Sequence, residues 1–187
     1  MDHHDHVGLI RAGVEDWPGV WADLGSGTGA FTLALADVLG DRGSIVSVDR
    51  DAGALNEQRR LMEARLPAAS VRYAKADFTG DLGLSALDGI LMTNSLHFVR
   101  DRDAVLRRIV AALRPGGRFV LVEYDADHGN PWVPHPLSFA TWQRVAPTVG
   151  LAGTRLIGRV PSRFLGAIYS AVSEVDSSAK SGSRLDI

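Results

Sequence analysis

The sequence predicts a doubly wound α/β domain, a mostly parallel sheet covered by helices on both faces in a three-layer αβα sandwich. Three observations carry that expectation. Short apolar runs bounded by turn residues alternate with longer amphipathic segments, the pattern of successive βα units. The runs are almost continuously apolar, as strands covered on both faces require. At 187 residues, 45% hydrophobic and 22% charged, the chain suits a single core.

The elements follow in order. Residues 1–18 are expected to form a helical extension acting as a partial lid, and residues 19–176 the main domain. Gly19–Leu24 reads as the first strand and Gly29–Leu39 as the helix after it. Ser44–Val48 is the next strand, followed by a helix over Asp51–Leu66 with Asp51 as its N-cap. Val71–Ala76 and Leu87–Thr93 are two further strands. Asp103–Leu113 reads as a helix capped by Asp103 and stopped by Pro115-Gly116-Gly117, before a strand over Arg118–Glu123. A helix over Ser138–Val149 precedes two strands, Thr154–Val160 and Phe164–Ser173. Their link, Pro161-Ser162-Arg163, is short enough to demand an antiparallel pair. The Ser-rich stretch 177–187 reads as a flexible tail.

Composition excludes several function classes. Net charge is -2 and the arginines are scattered, so no basic field is expected to hold nucleic acid. The absence of cysteine removes disulfides, thiolate metal sites and cysteine nucleophiles, and suits a reducing compartment. No apolar run reaches the ~20 residues of a membrane helix, and Met1 to His6 lacks the features of a signal peptide. A cytoplasmic protein without membrane contact is expected. His3-His4-Asp5-His6 invites a metal, but a helix start lacks the rigid supporting partners that metal ligands need. No metal site is assigned.

The stretch that carries chemistry is Ala22-Asp23-Leu24-Gly25-Ser26-Gly27-Thr28-Gly29, where a buried strand runs into glycines and a helix opens. Glycines there let the backbone turn tightly and approach a nucleotide-like ligand. Gly25, Gly27 and Ala30 also satisfy the dinucleotide template, which leaves an NAD-linked oxidoreductase as a rival. Asp23 opposes it, because a carboxylate two residues before the first glycine would repel a pyrophosphate and favour a cation.

This octapeptide resembles the first motif of the class I S-adenosylmethionine-dependent methyltransferases. The resemblance implies a seven-stranded Rossmann-like sheet with an antiparallel last strand, and S-adenosyl-L-methionine as cofactor. It also implies that Asp23, Gly25, Ser26, Gly27, Thr28 and Gly29 cradle the methionine part. Asp49 closes the second strand about 20 residues past Gly29. By the same resemblance Asp49, with Arg50 beside it, would serve the ribose hydroxyls. Asp77 would accept from the adenine amino group, with the Phe78 amide donating to the ring. Leu87 to Phe98 resembles the fourth motif and would bring Asn94 and Ser95 beneath the cofactor. Leu113-Arg114-Pro115-Gly116-Gly117 resembles the family's turn before strand five.

Methyl transfer from a sulfonium is a displacement that needs alignment first, and a general base only where the acceptor arrives protonated. His97, just past the sheet edge, is the first candidate base, and His135 in the Pro-rich loop after strand five is the second. Glu123, Tyr124 and Trp132 are expected to line the substrate pocket, with Trp132 covering an apolar acceptor. Asn94 is not followed by a Pro-Pro-aromatic run, so the usual sign of nitrogen methylation is missing. A small molecule methylated at oxygen or carbon is the expected reaction. So short an N-terminal extension leaves the pocket open, or completed by the Trp132 loop or by a second subunit in a homodimer. A module that binds the cofactor without chemistry is a further alternative.

Overall fold

The computed structural model describes residues 1–176; the expected flexible tail, 177–187, lies outside them. Seven strands form one sheet: β1 (Gly19–Leu24), β2 (Gly43–Asp49), β3 (Ser70–Lys75), β4 (Leu87–Thr93), β5 (Leu113–Tyr124), β6 (Leu151–Pro161) and β7 (Ala167–Val175). Their order is β3-β2-β1-β4-β5-β7-β6. β7 pairs antiparallel with both neighbours, and every other pairing is parallel. The doubly wound sheet with an antiparallel last strand is therefore present. The order reverses between β1 and β4, and the carboxyl ends of strands at such a reversal leave a crevice for a ligand.

Five helices cover the sheet: α1 (His3–Val14), α2 (Ala30–Leu39), α3 (Ala52–Arg65), α4 (Arg102–Ala111) and α5 (Phe139–Val145). Two apolar clusters mark the two faces. One gathers Leu106, Ile109 and Trp142 of α4 and α5 with Leu24, Met92 and Leu121 of the sheet. The other gathers Ile10 and Val14 of α1, nearly all of α2, and Trp21, Leu91 and Val120. α2 is buried on most sides because it lies between the sheet and α1, and only Ala30 and Asp37 of its ten residues are exposed. α3 by contrast buries only Leu55, Gln58 and Met62, a single stripe one to two turns apart. Among the described residues no helix is long and apolar enough to cross a membrane.

Trp21 is fully buried at the sheet centre, opposite Gly89 on β4. A Cβ on Gly89 would stand 2.4 Å from the indole ring, so the glycine makes room for one of the two fully buried tryptophans of the core.

Several boundaries differ from the sequence reading. Asp101, not Asp103, precedes α4, and Asp103 sits inside its first turn, where a carboxylate favours the helix dipole. The Pro115-Gly116-Gly117 turn is absorbed into β5 as a shift of register between the Leu87–Leu113 and Gly89–Arg118 pairs. The fifth helix ends at Val145 and tightens into a 3₁₀ turn over Ala146–Val149, where Pro147 supplies no N–H to continue it. Phe164 belongs to the β6–β7 link and not to β7; that link closes through the Ser162 N–H donating to the Gly166 carbonyl. α1 is a layer helix, capped by Asp2 and Asp5, with the His6 ring on Phe31 and His3 Nε2 3.2 Å from Asp37. Only Met1 of this segment reaches the wall of a cavity at the carboxyl edge. No group of three metal-capable side chains occurs among the described residues.

Candidate functional site

The glycine loop is folded over the end of β2. The N–H groups of Gly25 and Ser26 donate to the Val48 carbonyl at 2.8 and 3.1 Å. Gly29 has φ +92°, and a Cβ there would stand 2.3 Å from Gln58 Cγ. Two independent constraints thus require glycine at this position. Gly27 instead faces open space, and its N–H donates to Asp49 Oδ2 at 2.8 Å.

Beneath the loop runs a buried polar chain. Thr32 Oγ1 donates to Asp23 Oδ2 at 2.6 Å, and Gln58 Nε2 donates to Thr32 Oγ1. Ser47 Oγ lies 2.9 Å from Gln58 Oε1 and 2.7 Å from Ser26 Oγ. Ser26, expected at the cofactor, therefore spends its hydroxyl on this chain. Thr32, Ser47 and Gln58 were not expected as site residues. Their signal is each residue's polarity at a position whose pattern demands an apolar one, since buried polar side chains are the informative exceptions in a core.

Asp23 is fully buried, and its Oδ1 has no hydrogen-bond partner. Burial pushes its pKa up to about 7, with the Thr32 hydrogen bond opposing and the Asp49 charge adding. A second buried acceptor, Asn94 Oδ1, is also without a partner, and Asn94 is held at φ +49°. Buried acceptors are almost always satisfied. Two that are not, at the carboxyl ends of adjacent strands, suit a cationic donor.

These residues border a groove of about 330 Å³ at the reversal in strand order. Gly25, Gly27, Asp49, Arg50, Asp77, Phe78, Asn94 and Ser95 line it, together with Thr79, Phe98 and Val99. Asp23 and Ser26 lie below the wall, Thr28 is exposed, and Gly29 is buried at the start of α2. Asp49 accepts from Gly27 N–H through one oxygen and from Asp51 N–H, at 2.8 Å, through the other. Each oxygen keeps a lone pair for a further donor. Asp77 Oδ1 accepts from the N–H and hydroxyl of Thr79, which holds its carboxyl below the usual range. Ser95 Oγ donates to the Leu24 carbonyl at 2.9 Å and fixes the loop after β4 against β1.

His97 follows on a single 3₁₀ turn, Leu96–Phe98, and is 3% exposed. Its Nδ1 lies 2.9 and 3.1 Å from the two carboxylate oxygens of Glu123. The backbone N–H groups of His97 and Tyr124 donate to the same carboxylate at 3.1 and 2.8 Å. A carboxylate against Nδ1 assigns the proton to that nitrogen in the neutral ring and leaves the Nε2 lone pair as acceptor. Nε2 carries no hydrogen bond among the described residues. The sequence suggested Glu123 as a pocket-lining residue, but it lines neither this groove nor the cavity beside it. It is fully buried behind the histidine and orients it.

The remaining expected residues divide. Tyr124 is half-buried, edge-on to His97 at 5.7 Å, and lines a second cavity that shares Asn94 with the groove. Burial, then the Glu123 charge, raises its phenol pKa. His135 donates its backbone N–H to the His97 carbonyl at 3.0 Å, but its side chain makes no hydrogen bond and lines neither cavity among the described residues. Trp132 is 73% exposed and lines neither. The cause is local: Asn130 Oδ1 accepts from the N–H groups of Trp132 and Val133, and this turn buries Val133 and leaves Trp132 outside.

Residues 22–119 match the family described as "Methyltransferase domain". The ubiquinone/menaquinone biosynthesis C-methyltransferase UbiE of Vibrio parahaemolyticus is 32% identical over 108 residues, covering 55% of this chain and 40% of that enzyme. The chain thus spans less than half the length of such curated relatives. The reducing polyketide synthase grgA of a Penicillium species is 25% identical over 196 aligned positions, 92% of this chain and 8% of the synthase. Among solved structures, the YcgJ protein of Bacillus subtilis has a TM-score of 0.75 at 15% identity, covering 93% of this chain and 99% of that one.

Proposed function

The chain belongs to the methyltransferase-domain family, the class I S-adenosylmethionine-dependent enzymes, and from that premise we propose that it methylates a small molecule at oxygen or carbon, with His97 as general base. The observation that carries this reading is the His97–Glu123 pair, held on the turn whose residues Ser95 and Phe98 line the groove. A base so prepared suits an acceptor that must lose a proton, such as a phenol or a carbon acid between two carbonyls.

The groove fits the cofactor on the chemistry of its donors. Asp23 and Asn94 offer two unpaired buried acceptors to an ammonium group. Asp49 offers two rigid oxygens to a ribose diol, and the outer oxygen of Asp77 with the Phe78 ring suits an aminated heterocycle. S-Adenosylmethionine, when bound, supplies an electrophilic methyl group on a sulfonium. The chain's part is to align the acceptor, exclude water and take one proton. His97 Nε2 receives that proton, and Glu123 stabilises the resulting imidazolium through Nδ1–H, as a fixed carboxylate does for a base that gains charge.

Transfer of labelled methyl to a panel of phenols and 1,3-dicarbonyl compounds tests the reading. His97→Ala should lose about 10²–10⁴ in turnover, with S-adenosylhomocysteine affinity within about twofold of the parent. Glu123→Gln should lose less, because the ring stays in place while the imidazolium formed on proton transfer loses its stabilising charge. Full turnover in His97→Ala would remove the base. Cofactor binding with no transfer to any acceptor would favour a binding module.

A further inference from the structure

We propose that the cavity shared by Asn94 and the β6–β7 link is an acceptor site for an apolar or aromatic anion, whose negative group Arg163 receives. The proposal rests on the methyltransferase reading and names the class of its substrate.

The cavity measures about 430 Å³, and Asn94, Tyr124, Ser162, Arg163, Phe164 and Ile168 form most of its wall. Asn94 is common to this wall and to the cofactor groove, so a molecule seated here abuts the groove. The Tyr124 ring on this wall stands edge-on to His97 at 5.7 Å, and the neighbours Ser95 and Phe98 of that histidine line the groove, so the general base lies one side chain behind the two walls.

The acidic groups beside the cavity already have partners, whereas among the described residues the guanidinium on its wall does not. The carboxylate of Asp125 is taken by Arg159 at 2.6 Å. Glu123 is buried and accepts from His97 and from two backbone N–H groups. Arg163, on the wall, has no carboxylate partner and no side-chain hydrogen bond among the described residues. A guanidinium offers a planar fork of donors that matches a carboxylate or phosphate.

The apolar part of the ligand has its own surface. Phe164 is 73% exposed although it is a large apolar side chain, and Ile168 and Tyr124 lie on the same wall. The link that carries Arg163 and Phe164 is built, not slack. Ser162 N–H donates to the Gly166 carbonyl at 2.9 Å, Phe164 N–H donates to Ser162 Oγ at 3.2 Å, and Gly166 takes φ +61°. An acceptor with its anion at Arg163 and its ring against Phe164 would present the reacting O–H or C–H toward Asn94 and His97.

The probes are naphthalene-2-carboxylate and naphthalene-2-carboxamide, equal in apolar surface and different in charge, titrated by NMR at low salt with and without S-adenosylhomocysteine. The full chain should prefer the carboxylate by about fivefold, the scale of an exposed ion pair. Arg163→Gln should abolish the preference and leave S-adenosylhomocysteine affinity unchanged, and Phe164→Ala should weaken both probes alike. Equal binding of the two probes, or a preference that survives Arg163→Gln, overturns the proposal. So does weaker S-adenosylhomocysteine binding in Arg163→Gln, since the arginine would then serve the cofactor's own carboxylate. Failure of the parent chain to bind S-adenosylhomocysteine would strike the methyltransferase reading itself, with the charge preference at Arg163 left as a separate result.

Discussion

A carboxylic acid shut away from water keeps its proton unless a cation comes to it. Asp23 is such an acid, its pKa lifted to about 7 by burial. The unfolded chain ionises it in the ordinary carboxylate range. As pH rises from that range toward 7, the unfolded state therefore releases a proton that the fold retains. The free protein loses stability over that window and is flat above it. An ammonium group reverses the balance, because it favours the charged form. S-Adenosylhomocysteine should bind about fivefold tighter at pH 7 than at pH 6, the ratio set by one group titrating near 7. Methylthioadenosine, which lacks the amino acid, should show no such slope. Asp23→Asn should weaken S-adenosylhomocysteine, flatten its pH dependence and raise the stability of the free protein above pH 7. Calorimetric titration and urea midpoints at both pH values measure all three. A slope retained in Asp23→Asn would assign the titration elsewhere.

At the scale of elements, β1, the glycine loop and α2 were legible because each local rule agreed: a buried apolar strand, glycines at the turn, a helix opening at once. Their support was not. Gln58 lies on α3, and only the packing of α3 on β2 brings it under the loop, where Thr32 and Ser47 hold its amide. A single sequence shows a glutamine in an apolar stripe and nothing of what it meets. Glu123 was misread for a related reason. Alternation places it inward on β5, but its partner is fixed by a 3₁₀ turn after a different strand. Trp132 was misread because a side-chain cap, not loop composition, sets which way a loop residue faces. The loop–α3 contact makes a direct prediction. Gly29→Ala meets Gln58 at 2.3 Å and a positive φ, whereas Gly27→Ala meets only the φ. Gly29→Ala should lower stability by about 2 kcal/mol or more, and Gly27→Ala by about 1 kcal/mol. Chemical denaturation compares them. Equal losses would mean that Gln58 is free to move and does not brace the loop.

For the whole molecule, one sheet joins two cores, and the groove is made from the carboxyl ends of β1, β2, β3 and β4 together. A ligand held there touches strands that no single helix spans, so its binding opposes unfolding of the entire sheet. A ligand specific to the native state adds about 2.7 kcal/mol at a hundred times its Kd. For a domain of this size each kcal/mol moves Tm by about 2–4 °C. S-Adenosylhomocysteine at that excess should raise Tm by about 5–11 °C. Asp49→Ala should remove most of the gain, since the same carboxylate fixes Gly27 and faces the groove. The rival ligand separates cleanly in the same measurement. Asp49 alone would serve the ribose of NAD equally well, so it cannot discriminate. Asp23 can, because its ionisation strengthens the hold on a cation, whereas a pyrophosphate over the loop would oppose that ionisation and gain nothing from it. NAD at equal concentration should therefore leave Tm unmoved in the parent chain. A rise with NAD and none with S-adenosylhomocysteine would make the loop a diphosphate cradle, and the alignment of His97 with a methyl acceptor would lose its foundation.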